Sequence, residues 1–257
     1  MREPLSSAMV LAAGYGRRMA PITTHTPKPL VTVAGEPLLD RALRPLERAG
    51  VQTIVVNTHH LAGEIEAYLV RRPGQVPVEL SHESELLETG GGVKKALDLL
   101  DDPFFVLNGD IYWRDGATPA LDRLAQAFDP GRMDALLLIY PRAGALGYDG
   151  PGDFELTADG CGPAPLSWRA ADGVAPYVFA GIQVLAKSLF TGAPQGAFSL
   201  NLLYRKAEAA GRLYGLVHDG DWCHVSRPAD IAAVEAWLAA EAGSAERPSK
   251  DSRAGGA

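Results

Sequence analysis

A chain of 257 residues, 47% of them hydrophobic, has enough apolar material for one large domain with a sizeable core. Its net charge of −7 argues against a general binder of nucleic acid or anionic membranes, while leaving room for a local basic pocket. Two cysteines, Cys161 and Cys223, show neither metal spacing nor a disulfide framework, which fits a reducing compartment.

The N-terminal stretch is no signal peptide, because the apolar run Ala8–Ala13 is short and leads straight into glycine and arginine. No run approaches the roughly 18 apolar residues of a membrane span. The sequence therefore predicts a soluble, cytoplasmic protein.

Ala8–Ala13, Thr53–Asn57, Val76–Ser81, Phe104–Asn108 and Ala135–Tyr140 read as strands. Helical patterns lie between them at Glu36–Gly50, Leu61–Leu69 and Val93–Leu100. In the first helix Leu38, Leu39, Ala42, Leu43 and Leu46 repeat at helical spacing, Pro45 introduces a kink, and Gly50 suits the position after the end. Apolar strands alternating with helices predict an α/β fold with a doubly wound, mostly parallel sheet.

Beyond Tyr140 the pattern weakens. Residues 141–175 are rich in Gly, Pro and Ala, with a short strand at Asp153–Leu156. A strand at Tyr177–Leu185, a helix near Leu200–Gly211, a strand near Tyr214–Val217 and a helix at Pro228–Ala240 follow, Pro228 suiting the helix's first turn. The reading is one domain over 1–242 and a disordered tail over 243–257, which has no aromatic residue and no Val, Leu, Ile or Met.

Three local features carry chemistry. Leu11-Ala12-Ala13-Gly14-Tyr15-Gly16-Arg17-Arg18-Met19 follows the first strand, and its small residues let backbone N–H groups approach a phosphate or base. No Gly-Lys-Ser/Thr follows, so it is not a P-loop, and the missing third glycine excludes the Rossmann fingerprint. Next comes Thr26-Pro27-Lys28-Pro29-Leu30, in which two prolines stiffen the backbone around a lysine. Asn108-Gly109-Asp110 ends an apolar strand, placing a carboxylate at the rim where ligands of parallel sheets bind.

Together, Leu11 through Leu30 resembles the N-terminal signature of the sugar nucleotidyltransferase family, Leu-x-x-Gly-x-Gly-x-Arg-Met followed by Pro-Lys-Pro-Leu. The resemblance covers about residues 8–240. It implies a Rossmann-like mixed sheet of the nucleotide-diphospho-sugar transferase type and a transfer from NTP to a sugar 1-phosphate. It assigns catalysis to Arg18, Lys28 and Asp110, and nucleotide contacts to Leu11, Ala12, Ala13, Gly14, Gly16 and Arg18. Arg17 falls at the family's variable position and is left out.

Glu88-Thr89-Gly90-Gly91-Gly92, just before a helix, matches the family loop over the nucleobase and ribose, giving Thr89 and Gly90 as nucleotide contacts and Glu83 as an acceptor at the base edge. The form Leu-Glu-Thr-Gly-Gly-Gly is most similar to the branch acting on N-acetylmuramic acid 1-phosphate with UTP. Mannose- or heptose-1-phosphate guanylyltransferases are the alternative within enzymes; a non-catalytic nucleotide-sugar sensor is the alternative outside them. The sugar-side portion, about 141–225, contributes Asp153 and Gly181 beside Asn108. The family's sugar-phosphate lysine is not found, and Arg169 lies in that region outside the motif.

The family implies Mg²⁺ on Asp110 with a second carboxylate from a late Trp-x-Asp-x-Gly-Thr motif. This chain departs from it with Trp222-Cys223-His224-Val225-Ser226-Arg227. Imidazole suits Mn²⁺ or Co²⁺ better than Mg²⁺. Three arrangements stay open: direct ligation by His224, ligation through water, or a lost metal site, with Asp219 and Asp221 nearby as compensating carboxylates. The other anchors favour the second. Monomer or weak homodimer is expected.

Overall fold

The computed structural model describes residues 5–74, 76–157 and 162–245. In chain order they form strand β1 (Ser7–Leu11), β2 (Thr32–Val33), β3 (Glu36–Pro37), helix α1 (Leu38–Arg48), β4 (Thr53–Thr58), α2 (Ala62–Arg71), β5 (Val78–His82), α3 (Glu88–Ala96), β6 (Phe104–Asn108) and β7 (Tyr112–Arg114). Then come α4 (Ala120–Ala127), β8 (Ala135–Pro141), β9 (Phe154–Leu156), β10 (Ala164–Trp168), β11 (Tyr177–Leu185), α5 (Leu200–Ala209), β12 (Leu213–Val217), β13 (Asp221–Cys223) and α6 (Pro228–Ala245).

Nine strands make one sheet in the order β5-β4-β1-β6-β11-β8-β12-β10-β9. β5, β4, β1 and β6 are mutually parallel, β11 inserts antiparallel between β6 and β8, and β8 pairs in parallel with β12. This is the doubly wound, mixed sheet expected from the sequence. Val10 of β1 shares one core with Leu43 of α1, Ile65 of α2 and Leu124 of α4, while Met9 belongs to another with Val93 of α3 and Leu203 of α5. Alternate residues of one strand thus feed two cores.

A third core lies off the sheet. Met19, Val31, Val33 and Leu38 pack with Tyr112 and Cys223 from the ribbon β7–β13 and with Val234 of α6. Each such fully buried side chain contributes roughly 1.5–3 kcal/mol. The Ala34 N–H donates to Glu235 Oε1 at 2.9 Å, and the Arg114 guanidinium lies 4.2 Å from the Trp237 ring centroid. The last helix therefore clamps the loop that follows β1.

Several boundaries differ from expectation. β1 ends at Leu11, so Ala12 and Ala13 belong to the turn. The three glycines sit inside α3 rather than before it. α4, β10 and the ribbon β7–β13 add to the elements expected from the sequence. α6 runs on to Ala245, three residues into the expected tail, and residues 246–257 lie outside the described residues. Among the described residues no helix is long and apolar enough to cross a membrane.

Candidate active site

Beyond the C-terminal ends of β1 and β6 opens a cavity of about 530 Å³. Leu11, Ala12, Ala13, Gly14, Gly16 and Arg18 line it, together with Lys28, Thr89, Asn108 and Asp110. Arg17, Asn57, Glu88 and Ser226 also line it, beyond the residues expected from the sequence. Leu86 and Ser199 complete the wall near Thr89.

The glycine-rich turn and the lysine loop are fitted to one another. Gly16 takes a left-handed φ of +62°, and a Cβ there would lie 2.9 Å from Thr23 Cγ2 and 3.0 Å from Lys28 Cβ. A side chain is therefore excluded twice, by conformation and by space. Thr23 Oγ1 donates to the Gly16 carbonyl at 3.0 Å. Lys28, flanked by Pro27 and Pro29, is only 8% exposed, and its Nζ lies 2.6 Å from Asp110 Oδ2. Arg18, Lys28 and Asp110 come from three separate turns and share this one cavity.

His224 stands behind that group. Its ring centroid is 5.9 Å from both Trp222 and Tyr148. Burial pushes the imidazole pKa below its usual value, and the positive charges of Lys28 and Arg18 push it the same way, against Asp110 and Asp230. The ring is thereby favoured neutral, with a lone pair available. Asp219 pairs with Arg123 at 2.5 Å and Asp221 with Arg114 at 2.7 Å, so neither carboxylate replaces the missing family residue at His224. Among the described residues no three His, Cys, Asp or Glu side chains gather into a metal-ligand cluster.

Four expected contacts fall elsewhere. Glu83 is fully buried and does not line the cavity: Oε1 accepts from Asn57 Nδ2 at 2.7 Å and Oε2 from the Leu87 N–H at 2.9 Å. Gly90 also lies off the cavity wall, its N–H donating to the Phe198 carbonyl, and a Cβ there would run into the Phe198 ring. The glycines of α3 make room for protein neighbours. Asp153 is bound within the sheet: Oδ2 accepts from the Phe179 N–H at 2.9 Å, and burial raises its pKa against that bond and against Arg169 and His224. Gly181, with φ +81°, lies behind the cavity wall, its missing Cβ leaving room for Asn108 Nδ2 at 3.0 Å and Ile111 Cγ2 at 2.8 Å. Arg169 is spent on the carbonyls of Gly152, Ala170, Ala171 and Gly173, so it replaces no phosphate lysine.

The Nucleotidyl transferase family profile matches residues 7–148. The chain is 42% identical to the N-acetylmuramate alpha-1-phosphate uridylyltransferase of Caulobacter vibrioides, over 93% of this chain and 99% of that one. It is 32% identical to the protein of the same name from Neisseria meningitidis serogroup B, over 89% of this chain and 96% of that one. Among solved structures, UDP-glucose pyrophosphorylase complexed with UDP-glucose superposes with a TM-score of 0.76 at 14% identity, over 92% of this chain and 99% of that one, a likeness of fold.

Proposed function

The chain belongs to the nucleotidyl transferase family, an enzyme of the sugar-1-phosphate class, and on that premise we propose that it transfers uridylyl from UTP to N-acetylmuramic acid 1-phosphate and releases pyrophosphate. The observation that carries this reading is the convergence of Arg18, Lys28 and Asp110 on one cavity, in a chain alike over nearly its whole length to the Caulobacter enzyme. We propose further that it works in the cytoplasm, returns a cell-wall sugar to use, and is active as a monomer or weak homodimer.

The reaction is a single displacement. A phosphate oxygen of the sugar 1-phosphate attacks the α-phosphorus of UTP in line, the bond to the bridging oxygen breaks, and pyrophosphate leaves with that electron pair. The nucleophile is already an anion, so the protein's task is positioning and charge neutralisation. Lys28 holds the attacking phosphate against the α-phosphate, kept in place by Gly16 and Asp110. Arg18 stabilises the departing pyrophosphate, and Arg17 on the same wall adds positive charge. The turn from Leu11 to Gly16 and the segment Leu86–Thr89 hold the nucleoside. Asn108 faces the sugar phosphate with its back against Gly181, and Asp153 supports β11 on the sugar side.

We read Asp110 and His224 as the residues for a divalent ion. Among the described residues Lys28 engages only Oδ2 of Asp110, and the neutral His224 ring offers nitrogen. Asp110 and His224 would hold the ion, His224 through water where Mg²⁺ is bound and directly where Mn²⁺ or Co²⁺ is bound. Such an ion, when held there, would supply charge neutralisation that lowers repulsion between the two phosphate groups.

The experiment is pyrophosphate release by the purified chain with UTP, GTP, CTP and dTTP, each against several sugar 1-phosphates and with Mg²⁺, Mn²⁺ or Co²⁺. UTP with N-acetylmuramic acid 1-phosphate should turn over fastest. Faster turnover of GTP with mannose 1-phosphate would overturn the substrate assignment, and no release with any combination would overturn the activity.

A further inference from the structure

Three hydrogen bonds in series link the buried Glu83 to the cavity wall. The Ala12 N–H donates to Asn57 Oδ1 at 2.7 Å, Asn57 Nδ2 donates to Glu83 Oε1 at 2.7 Å, and the Leu87 N–H donates to Glu83 Oε2 at 2.9 Å. On its other side the same peptide is held as well, because the Gly109 N–H donates to the Leu11 carbonyl at 2.9 Å. The Leu11–Ala12 peptide plane is therefore pinned between Asn57 and the turn that carries Asp110. It sets the spacing between the glycine-rich turn and the acidic turn.

We infer that Glu83 is a positioning residue for nucleotide binding, acting through the Asn57 amide on the Leu11–Ala12 peptide. The inference rests on the reading of this cavity as the nucleotide site. Glu83 touches no substrate, since it is fully buried and off the cavity wall. The packing around it leaves no slack: a Cβ on Gly92 would lie 2.8 Å from Glu83 Oε1 and 2.9 Å from Asn57 Nδ2.

The direction of the series dictates the residue type. Both partners of the Glu83 side chain are donors, so both of its oxygens must accept, as a carboxylate's do. A glutamine offers one acceptor and one donor. Its NH₂ would face either the Asn57 NH₂ or the Leu87 N–H. Turning the Asn57 amide over only moves the conflict, because its NH₂ then meets the Ala12 N–H. Every arrangement of Glu83→Gln leaves one donor against another. Exchanging the two residue types removes the conflict. In the double variant N57D/E83Q, the carboxylate introduced at position 57 accepts from the Ala12 N–H and from the amide NH₂ introduced at position 83. The oxygen of that amide accepts in turn from the Leu87 N–H.

The test measures kcat and KM for each substrate by pyrophosphate release, with UTP affinity by titration calorimetry and a thermal melt for each variant. Glu83→Gln should raise the KM and Kd for UTP about ten-fold, the scale of a lost supporting-shell bond, with KM for the sugar phosphate within about two-fold, and N57D should behave alike. The double variant should recover UTP affinity to within about three-fold of the parent. A purely structural role would lower the melting temperature while leaving UTP affinity unmoved, and that result overturns the inference. So does a double variant that binds UTP no better than Glu83→Gln. Should either single variant fail to fold, the double variant must fold and bind, and its failure overturns the inference too. A parent chain without turnover sinks the reading of the site, and the inference with it; normal parent turnover with unmoved Glu83→Gln affinity sinks the inference alone.

Discussion

The Lys28 ammonium and the Asp110 carboxylate are in contact at 2.6 Å, the lysine side chain 10% exposed and the aspartate 36%. Each orients the other before substrate arrives, so removing either loses a charge and releases its partner. Lys28→Ala and Asp110→Asn should each lower turnover by about 10² or more, the usual loss for one electrostatic stabiliser. Pyrophosphate release measures this, and near-normal rates in both variants would refute their roles.

Chelation with EDTA should abolish turnover and Mg²⁺ should restore it. His224→Asp replaces a nitrogen with hard oxygen donors, so the ratio of Mg²⁺-supported to Mn²⁺-supported activity should rise. An unchanged ratio would place His224 outside the ion's surroundings and leave it as a packing residue between Trp222 and Tyr148.

Gly181→Ala should act on the sugar side. A Cβ there lies 3.0 Å from Asn108 Nδ2, and the φ of +81° adds strain of roughly 1–2 kcal/mol. Displacement of Asn108 should cost up to about 10²-fold in kcat/KM for the sugar phosphate, with the KM for UTP little changed. Equal losses for both substrates would show a general collapse of β11.

Stability should fall in mild acid because of His218. Its buried ring has Nε2 within 3.0 Å of the Arg114 carbonyl and 3.2 Å of the Asp221 carbonyl, so that nitrogen carries the proton. Among the described residues Nδ1 is buried without a partner. Burial lowers the pKa below 6.5. Over the interval between the lowered folded value and 6.5, the unfolded chain binds more protons. The contribution is thus complete above about pH 6.5 and is lost as pH drops through the folded value. Melting temperatures between pH 7.5 and 5 should decline, and His218→Gln should flatten the decline; an equal slope would assign the effect to other groups.

The legible parts of the site were the local ones. Lys28 stands between two prolines and Asp110 ends an apolar strand, local marks to which the family resemblance attached a role. Glu83, Gly90 and Asp153 could not be placed that way, because their partners Asn57, Phe198 and Phe179 come from distant elements. A buried acceptor and a substrate-facing one look alike in sequence. The ribbon β7–β13 has three residues per strand, too few for alternation to show. α4 did carry a signal, with Pro119 before Ala120, Leu121 and Leu124 on one face.

The clamp of α6 on Met19, Val31 and Val33 bears on biosynthesis. During translation the first strands emerge early, yet the loop bearing Lys28 gains the share of its apolar cover that α6 supplies only when residues beyond 228 leave the ribosome. A nascent chain halted earlier has made the strands β1, β4 and β6 while the loop bearing Lys28 still lacks its contact with the far end. The packing of one of the first loops to be made is thus completed by one of the last elements.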